Sequence, residues 1–396
     1  MGIEAERVLK TASSLFTEIK TVRRHLHANP ELSFEEHQTS AYITSILKQK
    51  EIFFETGFAG TGIIAIIEGQ NPTKKTIALR ADMDALPILE TNTTDYVSKN
   101  KGVMHACGHD VHTACGLGAL LLLNELKSEW EGTVRMLFQP GEELLPGGAS
   151  LMIKEGALPE GISGIFGQHV FPELTAGKVG FRPGMYMAST DELYFTVKGK
   201  GGHGALRHKI KDPILAAANM ISALHVQVNA LAPSHIPTVF SIGKVIANGA
   251  TNVIPDNVHI EGTFRTMDED WRATAHTHIQ EIAEASCTKD DVQVEIEIRR
   301  GYPFLVNDEA LTLRAKEAAI ALLGPDNVID LEKRMTAEDF AYYSQHMPAC
   351  FYRLGTQGQR GEHASPVHTS TFDIDESALQ TGMALMAWLA LSELKA

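Results

Sequence analysis

Apolar and polar residues follow two different periods along the first third of the chain. Residues 6–27 repeat apolar side chains every three or four positions, which is the spacing of one face of an α-helix. Residues 60–69 and 75–88 are apolar runs that end in turn residues, a pattern typical of strands. Residues 112–130 are apolar on nearly every side, which predicts a buried helix.

The same alternation continues and then returns at the end of the chain. Residues 132–143 and 161–170 are two further predicted strands that run into turns. This order of strands and helices predicts an α/β domain with a mostly parallel central sheet flanked by helices. After residue 306 the predicted elements are a helix at 308–323, a strand at 327–331, a helix at 337–347, a strand at 349–355 and a long final helix.

The pattern changes near residue 189 and changes back near residue 300. Between these points the predicted order is strand, helix, strand, strand, helix, strand, which is the split form of the ferredoxin-like motif. We therefore predict one discontinuous α/β domain at 1–188 and 301–396. The ferredoxin-like α+β domain at 189–300 is predicted to be inserted into it.

Charge and composition exclude several classes of function. The chain has 49 acidic and 35 basic residues, a net charge of −14, so it lacks the basic surface that nucleic acids and anionic membranes require. It contains no run of eighteen apolar residues, so we expect no membrane span. Residues 1–20 lack the pattern of a secretory signal, and the four cysteines form no CxxC pair, so we expect a cytoplasmic protein.

One short stretch, "MHACGHDVHTA" at 104–114, gathers several metal-binding side chains. Within a helix Cys107 and His109 would point about 200° apart, but on a turn that leads into a helix they can share an ion. A thiolate and an imidazole suit zinc, manganese or cobalt to different degrees. The alternative is a buried free cysteine beside hydrogen-bonded histidines.

Two adjacent carboxylates follow the strand at 132–139. Because neighbouring side chains diverge, Glu143 could bind a metal ion while Glu142 faces substrate and transfers protons. A solvated acidic turn is the competing interpretation, and for an isolated Glu-Glu pair it is the commoner one.

Further candidates lie at the ends of other predicted elements. Asp82 and Asp84 end a strand with a spacing that places them on one face, where an aspartate can fix the tautomer of a ligand histidine. Either could equally be a helix cap or a turn residue. His169 ends a strand and His368 precedes the last helix. A single histidine is more often structural than a ligand, but all these residues fall at strand ends or loops of one predicted domain.

Several motifs together make the chain resemble the dinuclear metallopeptidase and aminoacylase superfamily. Within it, the chain is similar to the branch of bacterial N-acyl-amino-acid amidohydrolases, hippurate hydrolases and plant auxin-conjugate hydrolases. The resemblance runs nearly from end to end. It is carried by "RRHLHANPELSFEE", "RADMDALP", "MHACGHDVHTA", "FQPGEE", "GQHV", "KGKGGHGA", "TNVIP", "GTFR", "AEDFAYY" and "VHTSTFDIDE".

The resemblance implies two divalent ions per subunit, Mn2+ or Zn2+ with Co2+ or Ni2+ as further candidates, and the thiolate of Cys107 as a bridge. Glu142 matches the general base, and Asp84 matches the aspartate that orients the site. Asp82 stands where relatives with peptidase activity carry a histidine ligand. The implied metal ligands are Cys107, His109, Glu143, His169 and His368.

The resemblance also implies the reaction and the partners. Water activated by the metal pair would attack the amide of an N-acyl amino acid or related conjugate. His203 matches a histidine that stabilises the oxyanion, and Asn252 and Arg265 match residues that hold the substrate. The resemblance further implies that 1–188 and 301–396 form the catalytic metal-binding domain and that 189–300 is a lid or dimerisation domain. We expect a homodimer, with neither nucleic acid nor a membrane as partner.

Three alternatives remain open at this point. A dipeptidase or carboxypeptidase on the same scaffold is disfavoured by Asp82 in place of histidine. N-acetyl-diaminopimelate deacetylation is permitted by the same motifs. A non-catalytic metal-binding or ligand-binding protein is disfavoured by the intact Glu142–Glu143 pair, because binding alone needs no base beside the metal.

Overall fold

The computed structural model of the protein describes residues 3–396. The predicted helices occur in the predicted order, with one unpredicted helix at His37–Gln49 and several short elements between them. The α-helices are α1 (Ala5–Ala28), α2 (His37–Gln49), α3 (His109–Glu125), α4 (Gly148–Lys154), α5 (Pro213–Leu231), α6 (Glu269–Lys289), α7 (Glu309–Leu323), α8 (Ala341–Ser344) and α9 (Ala378–Lys395).

The strands divide between one large sheet, one sheet of four strands and short pairs. They are β1 (Phe53–Phe58), β2 (Gly62–Glu68), β3 (Thr76–Asp82), β4 (Thr133–Gln139), β5 (Ile162–Thr175), β6 (Val179–Phe181), β7 (Gly184–Met187), β8 (Asp191–Lys198), β9 (Gly202–His203), β10 (Thr238–Ile246), β11 (Val253–Ile254), β12 (Asn257–Thr266), β13 (Gln293–Arg300), β14 (Leu305–Asn307), β15 (Val328–Asp330) and β16 (Ala349–Gln357).

The large sheet contains the strand ends that carry the candidate site. Within the described residues its order is β1-β2-β4-β3-β5-β16-β6-β15, and the central pairs β4–β3, β3–β5 and β5–β16 are parallel. The antiparallel hairpin β1–β2 extends one edge. Helices α1, α3 and α9 pack together, and α3 and α9 also contact β3 and β5. The predicted mostly parallel sheet flanked by helices is therefore confirmed.

The chain divides into two compact units. The first runs to Gly184 and continues at Val306–Glu332 and Asp339–Ala396. The second comprises Met185–Leu305 and Lys333–Glu338, so it includes a short segment from beyond the inserted stretch. That segment joins the second unit through hydrogen bonds such as Ala188 N–H to the carbonyl of Arg334.

The second unit has the strand order β10-β12-β8-β13, antiparallel throughout, with α5 packed beside α6. This is the order of a ferredoxin-like sheet. The carboxylate of Asp212 caps α5, whose first residue is Pro213, and Asp268 caps α6 in the same manner. Both helix starts therefore follow from ordinary capping chemistry.

Helix α5 is long and apolar enough to cross a membrane by length and composition alone, and no other helix of the described range is. It contains no charged residue. In the structure its Ala216, Met220, Leu224 and Val228 are buried in the core of the second unit, against the four-stranded sheet and α6. The apolar face of α5 that carries these four residues is therefore explained by packing within the second unit.

Three local expectations were wrong. Helix α8 has only four residues, far shorter than the predicted 337–347, because the N–H groups of Tyr342, Tyr343 and His346 donate to carbonyls three residues back, as in turns. Helix α2 and strand β1 were not predicted. Strand β5 continues to Thr175, so His169 lies inside a long strand rather than at its end.

A buried charge network joins α1 to the start of α3. The ring of His27 has Nδ1 2.8 Å from Asp110 Oδ2 and Nε2 3.2 Å from Glu90 Oε1. Burial and the nearby Arg23 lower the pKa of His27, but the two carboxylates outweigh them, so its pKa is raised overall. The protonated ring therefore stabilises the folded state.

This network predicts a pH dependence of stability. Because the folded pKa of His27 exceeds its unfolded value of about 6.5, the stabilisation is complete below that pH and is lost as pH rises through the folded pKa. We expect the free energy of urea unfolding to fall above pH of about 6.5. His27→Gln should flatten this slope and cost about 1–3 kcal/mol at lower pH. The exposed His37→Gln is the control, and an unchanged slope in His27→Gln would contradict the assignment.

Candidate metal centre and active site

The turn before α3 places two of the predicted ligands. Gly108 has φ +84°, and a Cβ there would lie only 2.6 Å from Cγ2 of Val170. Glycine is therefore required by both the left-handed backbone and the close approach. The helix begins immediately afterwards at His109, so Cys107 and His109 lie on a turn entering a helix, as expected.

The five predicted donors meet in one place. Cys107 Sγ lies 3.4 Å from His169 Nε2 and 3.3 Å from His368 Nε2. His368 Nε2 lies 3.3 Å from Oε1 of Glu143, and that oxygen is 4.0 Å from His109 Nε2. Two groups of potential ligands result, Cys107–His109–His169 and Cys107–Glu143–His368, and they share the thiol of Cys107.

The histidines present one ring nitrogen each to this cluster. The Nδ1 of His109 pairs with Asp84 at 3.1 Å, and the Nδ1 of His169 donates to the carbonyl of Val170 at 2.8 Å. His109 Nε2 is buried without a hydrogen-bond partner among residues 3–396. A buried nitrogen in that state is costly unless something binds it. Its position between sulfur and carboxylate donors fits a divalent cation.

Electrostatics favour a cation beside two of these side chains, whereas the third, His109, would release a proton on binding one. Burial, assisted by the negative charge of Glu143, raises the pKa of the Cys107 thiol, so its thiolate requires a nearby cation. Burial and the charge of Arg353 hold the pKa of His169 well below its usual range, which keeps its ring neutral and able to ligate. For His109, burial lowers the pKa but attraction to Asp82 and Cys107 prevails and raises it.

The neighbouring carboxylates converge on this cluster, contrary to the expected divergence. Oε2 of Glu142 and Oε1 of Glu143 each lie 4.0 Å from His109 Nε2. The reason is the turn after β4: Gly141 has φ +61°, and the backbone N–H of Glu143 donates to Asp84 Oδ2 at 2.9 Å. The alternation of side chains along a strand does not apply to such a turn.

Asp84 lies at the centre of these contacts. Besides His109 and the Glu143 N–H, it accepts a hydrogen bond of 2.6 Å from the Ser33 hydroxyl. Burial raises the pKa of Asp84, but the hydrogen bonds from His109 and Ser33 more than offset this and lower it. Strand β3 ends at Asp82, so Asp84 belongs to the following loop and the predicted shared strand face was wrong.

A clamp on the carboxylate turn was not foreseen. The buried carboxylate of Glu36 accepts hydrogen bonds from the Gly141 N–H at 2.9 Å and the Thr61 hydroxyl at 2.6 Å. A Cβ on Gly141 would meet the ring of Phe34 at 2.4 Å, so ring and backbone are in close contact. Phe34 and Glu36 both lie in the motif "RRHLHANPELSFEE". This motif contributed to the resemblance, but no role was predicted for these two residues.

Asp339 was also missed. Its backbone N–H lies 3.4 Å from Oε1 of Glu142, while its carboxylate accepts from Arg80, Gln139 and the backbone of Ala149. The turn that carries Glu142 is thereby held at both ends. The signal in the sequence was the "AEDFAYY" motif, whose acidic residues were noted only as part of the resemblance.

The second unit holds the other three predicted residues. β9 and β11 pair His203 with Val253, and the Gly204 N–H donates to the carbonyl of Asn252, so His203 and Asn252 are neighbours. His203 is exposed. Arg265 lies on β12, where its guanidinium donates to the carbonyl of Met335 at 3.1 Å. Burial lowers the pKa of Arg265.

Comparison with known proteins decides the family. Residues 78–392 match the model of a protein family described as "Peptidase family M20/M25/M40". The chain belongs to this family. It is 40% identical to N-acetyl-L-cysteine deacetylase of Bacillus subtilis, over 93% of this chain and 86% of that protein. It is 38% identical to IAA-amino acid hydrolase ILR1-like 4 of Arabidopsis thaliana, over 95% of this chain and 86% of that protein.

A solved structure supports the same membership of family M20. The chain superposes with a TM-score of 0.83 on a Bacillus subtilis protein described as a dinuclear metal binding peptidase from the M20 family. The two are 36% identical, and the match covers 97% of this chain and 99% of that one. The resemblance identified from the sequence is therefore confirmed.

Proposed function

We propose that the protein is an N-acyl-amino-acid amidohydrolase that uses a pair of divalent ions. The coarser statement, a metal-dependent hydrolase of amide bonds, is confirmed by family membership and by the cluster of potential ligands. The observation that carries the proposal is the pair of donor groups that share Cys107. One thiolate common to two groups is the arrangement that a bridged metal pair needs.

The proposed ligands fit the chemistry of such ions. Sulfur, imidazole nitrogen and carboxylate oxygen together suit Zn2+, and imidazole with carboxylate suits Mn2+. We propose Mn2+ or Zn2+ as the native ion, with Co2+ and Ni2+ as substitutes that the same donors accept. The residues that would hold them are Cys107, His109, Glu143, His169 and His368.

Divalent ions bound there would polarise the amide carbonyl and lower the pKa of water to about 7. The side chains of the chain perform the remaining tasks. Glu142, held at one oxygen by the Asp339 N–H, accepts the proton of the attacking water and later delivers it to the departing amine. Asp84 keeps His109 in the tautomer that presents Nε2.

We propose that three residues of the second unit act on the substrate. His203 would stabilise the oxyanion, and Arg265 or Asn252 would hold the carboxylate of the amino acid, for which a guanidinium is well shaped. The exposure of His203 and its proximity to Asn252 support a shared role. Alanine variants with kcat and KM measured separately would test these assignments.

We also propose a cytoplasmic homodimer in which the second unit is the lid or dimerisation domain. All four cysteines are unpaired and buried, which suits a reducing compartment. Exposed apolar side chains lie on α5 and on the edge strand β10, among them Val226 and Val245. Unpaired edge strands and apolar helix faces are the usual material of such interfaces. Light scattering would measure the oligomeric state.

A substrate panel tests the proposed reaction. Protein reconstituted separately with Mn2+ and Zn2+ should release amino acids from N-acetyl amino acids or hippurate, with kcat/KM at least about tenfold above that for dipeptides of the same residues. A dipeptide carries a charged α-amino group, whereas the acylated nitrogen of an N-acyl amino acid is neutral. A site that accepts the neutral group therefore disfavours dipeptides. Faster cleavage of dipeptides would favour the dipeptidase alternative and overturn the proposal.

A further inference from the structure

His112 uses both ring nitrogens in hydrogen bonds within the protein. Its Nδ1 lies 2.6 Å from Oδ1 of Asp82, and its Nε2 accepts the backbone N–H of Val170 at 2.9 Å. A backbone N–H can only donate, so His112 Nε2 carries no proton and Nδ1 carries one. Both residues of the pair, His112 and Asp82, are fully buried.

The backbone carbonyl of the same residue, Val170, also contacts His169. The Val170 carbonyl accepts from His169 Nδ1 at 2.8 Å, and a carbonyl can only accept. His169 Nε2 is therefore left with its lone pair, 3.4 Å from Cys107 Sγ. Val170 thus contacts His112 through its N–H and His169 through its C=O, so the position of its backbone depends on the one ring and orients the other.

The sheet explains why a side chain is needed at this point. The pairing of β3 with β5 ends with Arg80 opposite Gly167. Beyond that register β5 continues without β3 as its neighbour, and the N–H of Val170 is donated to a side chain of α3. His112 therefore replaces a missing strand partner where the metal-ligand candidate lies.

Asp82 is committed to the same network. Its Oδ2 accepts from Arg80 at 2.5 Å, and Arg80 is held in turn by Gln139 at 2.9 Å. Distances alone would permit Asp82, His109 and His112 to bind an ion of their own. His112 has no free lone pair, because Nδ1 carries a proton and Nε2 accepts from Val170, so that group lacks one of the three ligands it would need for a third ion.

We infer that Asp82 and His112 are positioning residues that hold the backbone of Val170, whose carbonyl fixes the ring orientation and tautomer of His169. The inference rests on the proposed function, because it takes His169 as a metal ligand. It also assigns a role to Asp82, which occupies the position of a histidine ligand in peptidase relatives. Asp82 contributes to metal binding through hydrogen bonds and without contact to an ion.

Two variants of His112 separate positioning from packing. His112→Leu keeps the bulk but removes the donor and the acceptor, whereas the amide of His112→Gln can still donate to Asp82 and accept from Val170. We expect His112→Leu to weaken the binding of Zn2+ about 10–100-fold, as measured by competition with a chromophoric chelator, and to lower kcat more than it raises KM. His112→Gln should recover most of the affinity.

His105→Leu is the matched control, since His105 is equally buried and neither ring nitrogen has a hydrogen-bond partner in the described chain. It should leave the Zn2+ affinity within about threefold of wild type. Equal affinities of His112→Leu and wild type would overturn the inference. So would a His112→Gln variant as weak as His112→Leu, or an equal loss in His105→Leu.

A measurement on the metal-free wild type covers the case in which His112→Leu does not fold. Nitrogen-15 NMR should find the ring of His112 protonated at Nδ1 and unprotonated at Nε2, and the opposite tautomer would contradict the network. Failure of the proposed function is distinguishable. Wild type that hydrolyses no N-acyl amino acid yet binds Zn2+ more tightly than His112→Leu would remove the substrate assignment and leave the positioning role intact.

Discussion

Glu142→Gln is expected to abolish turnover while leaving the bound metal unchanged. Glutamine keeps the size and the hydrogen bond of 3.4 Å from the Asp339 N–H, but it cannot take a proton from water. General acid–base groups contribute about 10²–10⁴-fold, so kcat should fall by at least about 10²-fold. The measurements are kcat on an N-acetyl amino acid and metal content by elemental analysis.

The control for Glu142→Gln is the same change at the exposed Glu160 of the same unit, which should retain wild-type kcat and metal content. Loss of metal in Glu142→Gln would mean that Glu142 is a ligand rather than a base. The metal analysis is decisive because Oε2 of Glu142 lies as close to His109 Nε2 as Oε1 of Glu143 does. Retained turnover would refute the assignment of Glu142 as the base.

Cys107→Ala should remove both metal ions and activity together. Its sulfur belongs to both donor groups, so one substitution deprives two sites of a shared ligand. Partners that only orient a ligand are typically worth about 10–100-fold in affinity, and a shared ligand should exceed that range. We expect less than one ion per subunit after dialysis, where wild type retains two, and kcat/KM reduced by more than about 10²-fold.

Cys115→Ala is the matched comparison, because Cys115 is also buried and lies in the helix that begins beside Cys107. It should cost stability through a small cavity while leaving metal content intact. If Cys107→Ala retained two ions, Cys107 would be an ordinary buried cysteine, which is the alternative that the sequence left open. Rescue of Cys107→Ala by excess Zn2+ would point to weakened rather than lost binding.

Sequence patterns predicted the elements whose period is long and regular. Helices α1, α5, α6, α7 and α9 and most strands of both main sheets follow from apolar spacing and from caps such as Asp212, whereas β1 and β6 of the large sheet were not predicted. Short or irregular elements were either not predicted or predicted with wrong bounds. The four residues of α8, for example, are too few to show a helical period. The end of β3 was likewise invisible, since apolar residues continue past Asp82 into the loop.

The candidate ligands could be named from the sequence because their chemistry is unusual for a core. Histidine and glutamate are seldom fully buried, so their gathering with a cysteine beside glycine turns is unusual for packing alone. Their supporting residues could not be named in the same way. Glu36, Asp339 and His112 have ordinary side chains, and their roles depend on which backbone N–H group each one meets.

By itself, the sequence determined the family, the order of elements and which side chains could bind metal, because apolar period and donor identity are local properties of the chain. Only the tertiary structure decided that Cys107 and His368, 261 positions apart, come within 3.3 Å, and that the two glutamates converge. The tertiary structure also decided that the carboxylate of Asp82 accepts hydrogen bonds from Arg80 and His112. Hydrogen-bond partners distant in sequence are set by strand register and packing, which no local pattern encodes.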